Sequence, residues 1–259
     1  MNHPGGYAWI DNVELIAPDG RRAYLNGDFD LTSVISDSAH LDAALSLQIG
    51  GRALTGPRRP VTRGEVAIGD EDDYRGDDQH DQRNDTQGVW LHNFLWAQIN
   101  PGGLYELYWD PTNIRQYNLY FHFRAFRDFM DGIPLNNGHY EDGRATASHP
   151  DLIVLGQADR LAGRGHLWIR HRLYTWRNVV DGVTIPPVSG QITIPDLLTG
   201  TYRVTWWDTW AGVPTASQLV TTTGSTLNVP LSAPLATDVA LKWERVYPYR
   251  VFLPLSPRR

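Results

Sequence analysis

The chain has 259 residues, of which 41% are hydrophobic and 20% are charged, so it can bury a substantial core and form one large domain or two ordinary ones. Its formal net charge of -6 and its scattered arginines give no basic stripe, which argues against a nucleic-acid partner. The absence of cysteine excludes disulfides, a thiol nucleophile and thiolate metal ligands. No membrane partner is expected, because no apolar run approaches the roughly 20 residues that span a bilayer, and the N-terminus has no pattern of a secretory signal.

Aromatic residues are frequent, with 10 Trp, 12 Tyr and 7 Phe. Most rings of this kind belong to a hydrophobic core. Some can instead face a cleft, where a flat apolar ring beside hydrogen-bonding groups stacks on the C–H face of a sugar. The composition therefore leaves carbohydrate open as a ligand.

The first 148 residues alternate between predicted strands and helices. The hairpin has its turn at Pro18-Asp19-Gly20, and Pro101-Gly102-Gly103 ends one of the helices. The expected elements, in chain order, are a hairpin within 1–32, a helix over 37–51, a short strand over 60–69, an acidic loop over 70–87, a helix over 88–100, a strand over 104–109 and a helix over 119–132.

From about residue 149 the pattern is all-β, with Gly and Pro turns between short strands. The adjacent Trp206 and Trp207 should point to opposite faces of one strand, which leaves only one of them in the core. We expect the run Tyr174–Asn178 to pack this part onto the preceding segment. The expected strands are 151–157, 165–172, 190–195, 201–208, 216–229 and 237–246.

Short motifs carry a resemblance to a known clan. Two stretches resemble strand ends in retaining glycoside hydrolases of the large (β/α)8-barrel clan. The end of strand 7 is matched by Arg59-Pro60-Val61 with Arg63-Gly64-Glu65, and the end of strand 8 is matched by Tyr108-Trp109-Asp110. The segment 200–209 is similar to a strand of the β-sandwiches appended to these hydrolases, and 8–15 is similar to the last strand of a jelly-roll carbohydrate-binding module.

The resemblance implies an α+β, mainly β fold in three parts. Residues 1–32 would form the hairpin left from a jelly roll, 33–148 a partial (β/α)8-barrel segment and 149–259 a C-terminal antiparallel β-sandwich. The clan carries its catalytic acid after strand 4 in an Asn-Glu pair, which this chain lacks, and the segment covers only the last quarter of a barrel. The exposed edges of such a segment favour self-association or a complementing barrel chain.

The same resemblance implies site residues. Glu65 would be the nucleophile and Trp109 the aromatic floor of a sugar subsite; the competing interpretation of Glu65 is an ion pair with Arg63 or Arg59. A retaining mechanism needs a second carboxyl group about 5 to 5.5 Å away. The first candidate for it is Glu141, ahead of Glu14, Glu106, Asp110 and Asp142. Further candidates for substrate contact are Tyr108, Trp96, His92 and Tyr140.

Two functional hypotheses from different classes remain open. The first is a glycoside hydrolase-related protein that acts on or binds a poly- or oligosaccharide. The second is a non-catalytic carbohydrate-binding or structural β-sandwich module, or an inactive truncated fragment. No metal site and no cofactor is expected, because the histidines lack metal-ligand spacing, and a structural, hydrogen-bonded role competes with substrate binding for His92. The hydrolases that the chain resembles are extracellular, whereas the sequence itself leaves the localisation open.

Overall fold

The computed structural model describes residues 14–16, 22–24, 61–62, 85–99, 103–104 and 111–247, with side chains for 85–99 and 114–247. The predicted helix over 37–51 lies outside these residues.

Two pairs of short strands precede the main sheets. Strand β1 (Glu14–Ile16) pairs antiparallel with β2 (Arg22–Tyr24), which confirms the predicted hairpin. Strand β3 (Val61–Thr62) pairs in parallel with β4 (Gly103–Leu104), and helix α1 (Val89–Ala97) lies between them in the sequence. Parallel neighbours require a crossover connection, which is usually a helix. The order β3, α1, β4 is therefore a strand–helix–strand unit.

Helix α1 begins after the buried Asp85, which caps its N-terminus. One carboxylate oxygen accepts a hydrogen bond from the backbone N–H of Val89 at 2.8 Å, and the other accepts one from Trp90 at 2.9 Å. These amides have no acceptor inside the helix, and a negative charge is favourable at this end. Every residue of α1 is buried, as expected for a helix that is apolar on nearly all sides.

Two helices follow before the sheets. The short helix α2 (Pro111–Gln116) was not expected from the sequence, whereas α3 (Tyr120–Met130) matches a predicted helix. Helix α3 is amphipathic: Phe126 and Phe129 are buried, while Phe123 is exposed. None of the helices within the described residues is long and apolar enough to cross a bilayer.

The rest of the described chain forms two antiparallel sheets. The strands are β5 (Tyr140–Asp142), β6 (Thr146–Ala147), β7 (Leu152–Asp159), β8 (Arg164–His171), β9 (Gln191–Ile194), β10 (Gly200–Asp208), β11 (Val213–Thr222), β12 (Leu227–Pro230) and β13 (Asp238–Val246), with a one-and-a-half-turn helix α4 (Trp176–Val180) between β8 and β9. One sheet has the order β11-β10-β13-β8-β7-β5, and the other has the order β12-β9-β6. Side chains of both sheets pack in one apolar cluster, and the predicted α+β, mainly β class with antiparallel sheets is confirmed.

One predicted strand is wrong in an informative way. The segment 216–229 is two strands in different sheets, β11 and β12, rather than one. The hydroxyl of Thr222 donates to the backbone oxygen of Thr226 at 2.7 Å, and its oxygen accepts from the backbone N–H of Gly224 at 3.2 Å. These local hydrogen bonds end β11. The six-stranded sheet also includes Tyr140–Asp142, which precede the predicted start of the sandwich at 149.

The interior between the two sheets is apolar. Val204 and Trp206 from β10 and Leu241 from β13 pack against Ile192 from β9 and Val229 from β12. Alternation along each strand sends the intervening residues to the outer face. The tryptophan prediction is confirmed, because Trp206 lies in this interior and Trp207 contacts the cluster on the opposite face.

Helices α1 and α3 cover part of the outer face of the six-stranded sheet. Trp96 from α1 and Phe129 from α3 pack with Trp168 from β8 and Ala240 from β13. Trp176 of the predicted packing run lies in a cluster with residues of α1, as expected.

The turn between β10 and β11 touches α3 closely. Gly212 in this turn has φ +69, a left-handed conformation that favours glycine. A Cβ atom there would lie 2.6 Å from the Cα atom of Ala125 in α3. Only glycine therefore fits between this turn and the helix.

Candidate functional site

Three of the predicted site residues lie outside the described residues: Glu65, Tyr108 and Trp109. In the sequence, Glu65 follows the last residue of β3 by three positions, and Trp109 follows the last residue of β4 by five. Their assignment as nucleophile and sugar platforms therefore stays a prediction.

Trp96, predicted to contact substrate, is a core residue. Its side chain is 0% exposed, and its ring lies 5.2 Å from that of Phe126 and 5.0 Å from that of Phe129. The prediction that it contacts sugar does not agree with this position, because both its helix and its ring are covered on all sides. A sugar platform needs one open ring face.

His92 connects helix α1 to the sheet. Its Nε2 lies 2.9 Å from an Asp238 carboxylate oxygen at the start of β13, and the Trp168 indole N–H donates to the same oxygen at 2.6 Å. On the other side of the ring, His92 Nδ1 lies 3.2 Å from Nδ1 of His122 in α3. All of these side chains are buried, so His92 joins two helices and a strand through hydrogen bonds.

The protonation of this cluster follows from its surroundings. Burial on its own raises the pKa of Asp238, but the neighbouring His92 and the hydrogen bonds from His92, Trp168 and Thr209 outweigh it and hold that pKa below the usual range. Burial, reinforced by His92, lowers the pKa of His122 to about 3. Asp238 is thus ionised and His122 neutral at pH 7.

An Asp–His pair can orient an imidazole as a general base. Here the second nitrogen of His92 faces another histidine, and the Trp210 ring stacks on it at 4.7 Å. A substrate atom has no access to either ring nitrogen in this arrangement. The structure therefore favours the structural interpretation of His92 over substrate contact.

Glu141, predicted as the second carboxyl group, lies on the edge strand β5 and is 76% exposed. Its carboxylate is 3.6 Å from Arg160, which also contacts Asp196 at 3.7 Å, and Asp196 in turn pairs with Arg144 at 2.7 Å. Glu141 is thus part of an exposed network of ion pairs rather than a cleft. This position does not suit a catalytic acid, which works in a shielded site.

Tyr140 is half-buried and is the predicted residue with the most suitable surroundings for a ligand. Its ring lies 5.6 Å from that of His166, and the Arg164 guanidinium is 6.0 Å from its centroid. It borders a groove of about 270 Å³ on the outer face of the six-stranded sheet, together with Trp207 and Lys242.

Sequence reasoning missed Asp238, His122 and Trp168. The available signal was an acidic residue at the first position of the otherwise alternating strand β13, since a charge placed there must either face solvent or find a partner. Its partner His92 is 146 positions away in the sequence, so the pairing itself could not be read. Within the described part of the chain, no group of three or more His, Cys, Asp or Glu side chains could hold a metal ion.

No family model and no curated protein matches the chain. One similar solved structure is CelM2, a bifunctional glucanase-xylanase from a metagenome library, at 14% identity and a TM-score of 0.36, which covers 78% of this chain and 34% of that chain. Another is a glycoside hydrolase family 44 endoglucanase from Clostridium acetobutylium ATCC 824, at 10% identity and a TM-score of 0.41, which covers 80% of this chain and 35% of that chain. The chain spans about a third of the length of these structures, and a likeness of this size does not establish a shared activity.

Proposed function

We propose that this chain is a glycoside hydrolase-related protein that acts on or binds a poly- or oligosaccharide, with Glu65 as its nucleophile. The observation that carries the proposal is the parallel pairing of β3 with β4, with helix α1 between them in the sequence. Such strand–helix–strand units are the repeating element of (β/α)8 barrels.

The position of the candidates in the sequence supports their roles. In barrel enzymes the active site lies at the C-terminal ends of the strands. Glu65 follows β3 and Trp109 follows β4, and parallel strands end at the same edge of a sheet. This order in the sequence, a glutamate soon after one strand and a tryptophan soon after its parallel neighbour, is the order expected of a nucleophile and a sugar platform.

The docking of the helices onto the sandwich also supports the proposal. Helices α1 and α3 bury aromatic rings and the His92–Asp238 contact against the six-stranded sheet. An interface of this kind holds a helical layer in one position on the sandwich, as a strand-end site would require.

The test is reducing-sugar release from a panel of polysaccharides that includes glucan and xylan. If the chain is catalytic, its acid comes from the remaining candidates Glu14, Glu106, Asp110 and Asp142, and purified wild type releases sugar. Glu65→Gln, which keeps the shape but removes the nucleophilic carboxylate, should then fall to the level of a protein-free blank. Glu141→Gln is the matched control and should keep the wild-type rate, because Glu141 lies in an exposed ion-pair network.

Two outcomes would contradict this proposal at different levels. If Glu65→Gln retained full activity, Glu65 would not be the nucleophile. If no protein released sugar but wild type and Glu65→Gln were retarded equally in gels that contain polysaccharide, the chain would be a non-catalytic binding module.

A further inference from the structure

A groove on the outer face of the six-stranded sheet lies beside the end of helix α3. We name it the Lys242 groove; its chemically important lining residues are Tyr140, Arg164, His166, Trp207, Lys242 and Glu244. The backbone of residues 131–134, directly after α3, forms one wall. Its volume of about 270 Å³ is just under the roughly 300–1,000 Å³ of small-molecule pockets, which suits one sugar unit better than a longer chain.

Lys242 lies in this groove without a close carboxylate. Its ammonium is 3.4 Å from the backbone oxygen of Asp131, and within the described residues no Asp or Glu carboxylate oxygen forms an ion pair with it. Burial lowers the pKa of Lys242, and the more distant Asp131 carboxylate only partly offsets this. The two other cations of the groove are paired, Arg203 with Glu244 at 2.7 Å and Arg164 with Asp159 at 3.2 Å.

Other side chains of the groove carry buried nitrogens without a partner among the described residues. Both ring nitrogens of His166 are of this kind, as are Nε1 of Trp207 and Nε of Arg164. His166 is 0% exposed, and burial together with nearby Lys242 lowers its pKa to about 3, so the ring is neutral at pH 7. Because these nitrogens are buried, a ligand in the groove would first meet the partly exposed side chains of Tyr140, Arg164 and Lys242.

Two aromatic rings border the same space. Tyr140 lies at one end on β5, and Trp207 lies on β10 with its ring 4.6 Å from the Lys242 ammonium. Flat apolar rings beside hydrogen-bond donors match the C–H faces and the oxygens of a sugar ring. The cation adds a site for one negative charge.

We propose that the Lys242 groove binds one sugar unit that carries a carboxylate, a uronic acid residue of an acidic glycan. Lys242 pairs with the carboxylate, and Trp207 and Tyr140 flank the sugar ring. The described residues that line the groove have no role in the proposed hydrolysis, so binding at the groove is tested independently of it. Loss of activity in Glu65→Gln and loss of uronate binding are separate observations.

The first experiment uses the wild-type protein, because Lys242 is the single lysine of the chain. An amine-specific acylating reagent therefore modifies only Lys242 and the terminal amine, and mass spectrometry of the two peptides gives the rate at each. We expect saturating glucuronate or digalacturonate to slow acylation of Lys242 at least about fivefold relative to the terminal amine, because an ion pair shields the ammonium.

Glucose and acetate are the controls for the two halves of the ligand. Neither should protect Lys242 at the same concentration, since glucose lacks the charge and acetate lacks the ring. Protection by acetate equal to that by glucuronate would reduce the site to a simple anion site. Equal protection by glucose, or no protection by any uronate, would overturn the proposal.

The second experiment measures uronate affinity calorimetrically in variants. Lys242→Met keeps an unbranched side chain of similar length but removes the ammonium that lies over the Trp207 ring, and we expect at least about tenfold weaker binding. Arg172→Met, which removes an exposed positive charge that does not line the groove, is the matched control and should bind like wild type. Glu65→Gln should also bind like wild type. Unchanged affinity in Lys242→Met would refute the assigned role of Lys242.

Discussion

The two faces of the six-stranded sheet are packed by different physical means. Between the sheets, the contacts come from apolar side chains such as Val204, Trp206 and Leu241. On the outer face, aromatic rings are combined with the buried hydrogen bonds of His92, Asp238 and Trp168.

The difference shows what each face specifies. Apolar packing depends mainly on volume, so it accepts many arrangements of similar size. A buried polar contact with defined partners is costly unless its hydrogen bonds are made, so the His92–Asp238 contact selects one position of helix α1 on the sheet. The inner face thus forms an apolar core, and the polar contacts of the outer face fix where the helices lie.

The sharpest test of the inner face compares neighbouring tryptophans. Trp206→Ala should lower the free energy of unfolding by about 3–5 kcal/mol, because the ring is 1% exposed and its removal leaves a cavity. Trp207→Ala should cost less than half as much, since that ring is only partly buried. Urea unfolding followed by far-UV circular dichroism measures both, and equal losses would contradict the assignment of the two faces.

The outer face predicts coupling between its polar residues. His92→Leu and Asp238→Leu should each cost about 3 kcal/mol, because each leaves a buried polar partner unpaired. The double variant should lose at least about 1 kcal/mol less than the sum of the single losses. As a control, Ile169→Val on the inner face combined with His92→Leu should be additive. If the losses of the two single variants simply added up in the double variant, His92 and Asp238 would not be energetically coupled in solution.

Acid should weaken the outer face first. His122 and His166 have pKa values of about 3 in the folded state, against 6.5 in the unfolded chain, so the unfolded chain binds more protons between these values. The contribution of these two neutral rings to the free energy of unfolding is therefore fully present above pH 6.5 and decreases as the pH falls towards 3. We expect a loss of about 2 kcal/mol for each of the two histidines, about 4 kcal/mol together, from pH 7 to pH 5 in urea titrations. His166→Phe should flatten the dependence, and a flat wild-type profile would count against the buried neutral rings.

The exposed edge strand provides the smallest effect. Glu141→Gln should change the free energy of unfolding by less than about 0.5 kcal/mol, because an exposed ion pair is screened by solvent. A loss above 1 kcal/mol in the same urea titrations would indicate that the Glu141–Arg160 contact is structurally important.

Helices α1 and α3 and most of the strands after residue 149 can be predicted from local patterns. The apolar residues of α3 recur at helical spacing, and the Trp206–Trp207 pair in β10 obeys the alternation of a strand. Local patterns failed at 216–229, where the side-chain hydrogen bonds of Thr222 end a strand that the β-branched composition would continue.

The candidate site was less predictable, because its contacts join distant positions. Trp96 looked available only because a buried helix and an aromatic-lined cleft have the same composition. Lys242 stood out in the sequence as the single lysine, but its neighbours Trp207 and Asp131 come from other elements. A pattern along one strand carries no information about which rings meet across a sheet.

The close approach of Gly212 to Ala125 has a consequence for the Lys242 groove. The turn between β10 and β11 packs directly against helix α3 and limits how closely the helix can approach it. The end of α3 leads into residues 131–134, which form one wall of the groove. A side chain at position 212 would clash with the backbone of Ala125 and force the turn and helix α3 apart. Because residues 131–134 follow directly on this helix, a substitution of Gly212 is expected to alter the groove without changing any residue that lines it.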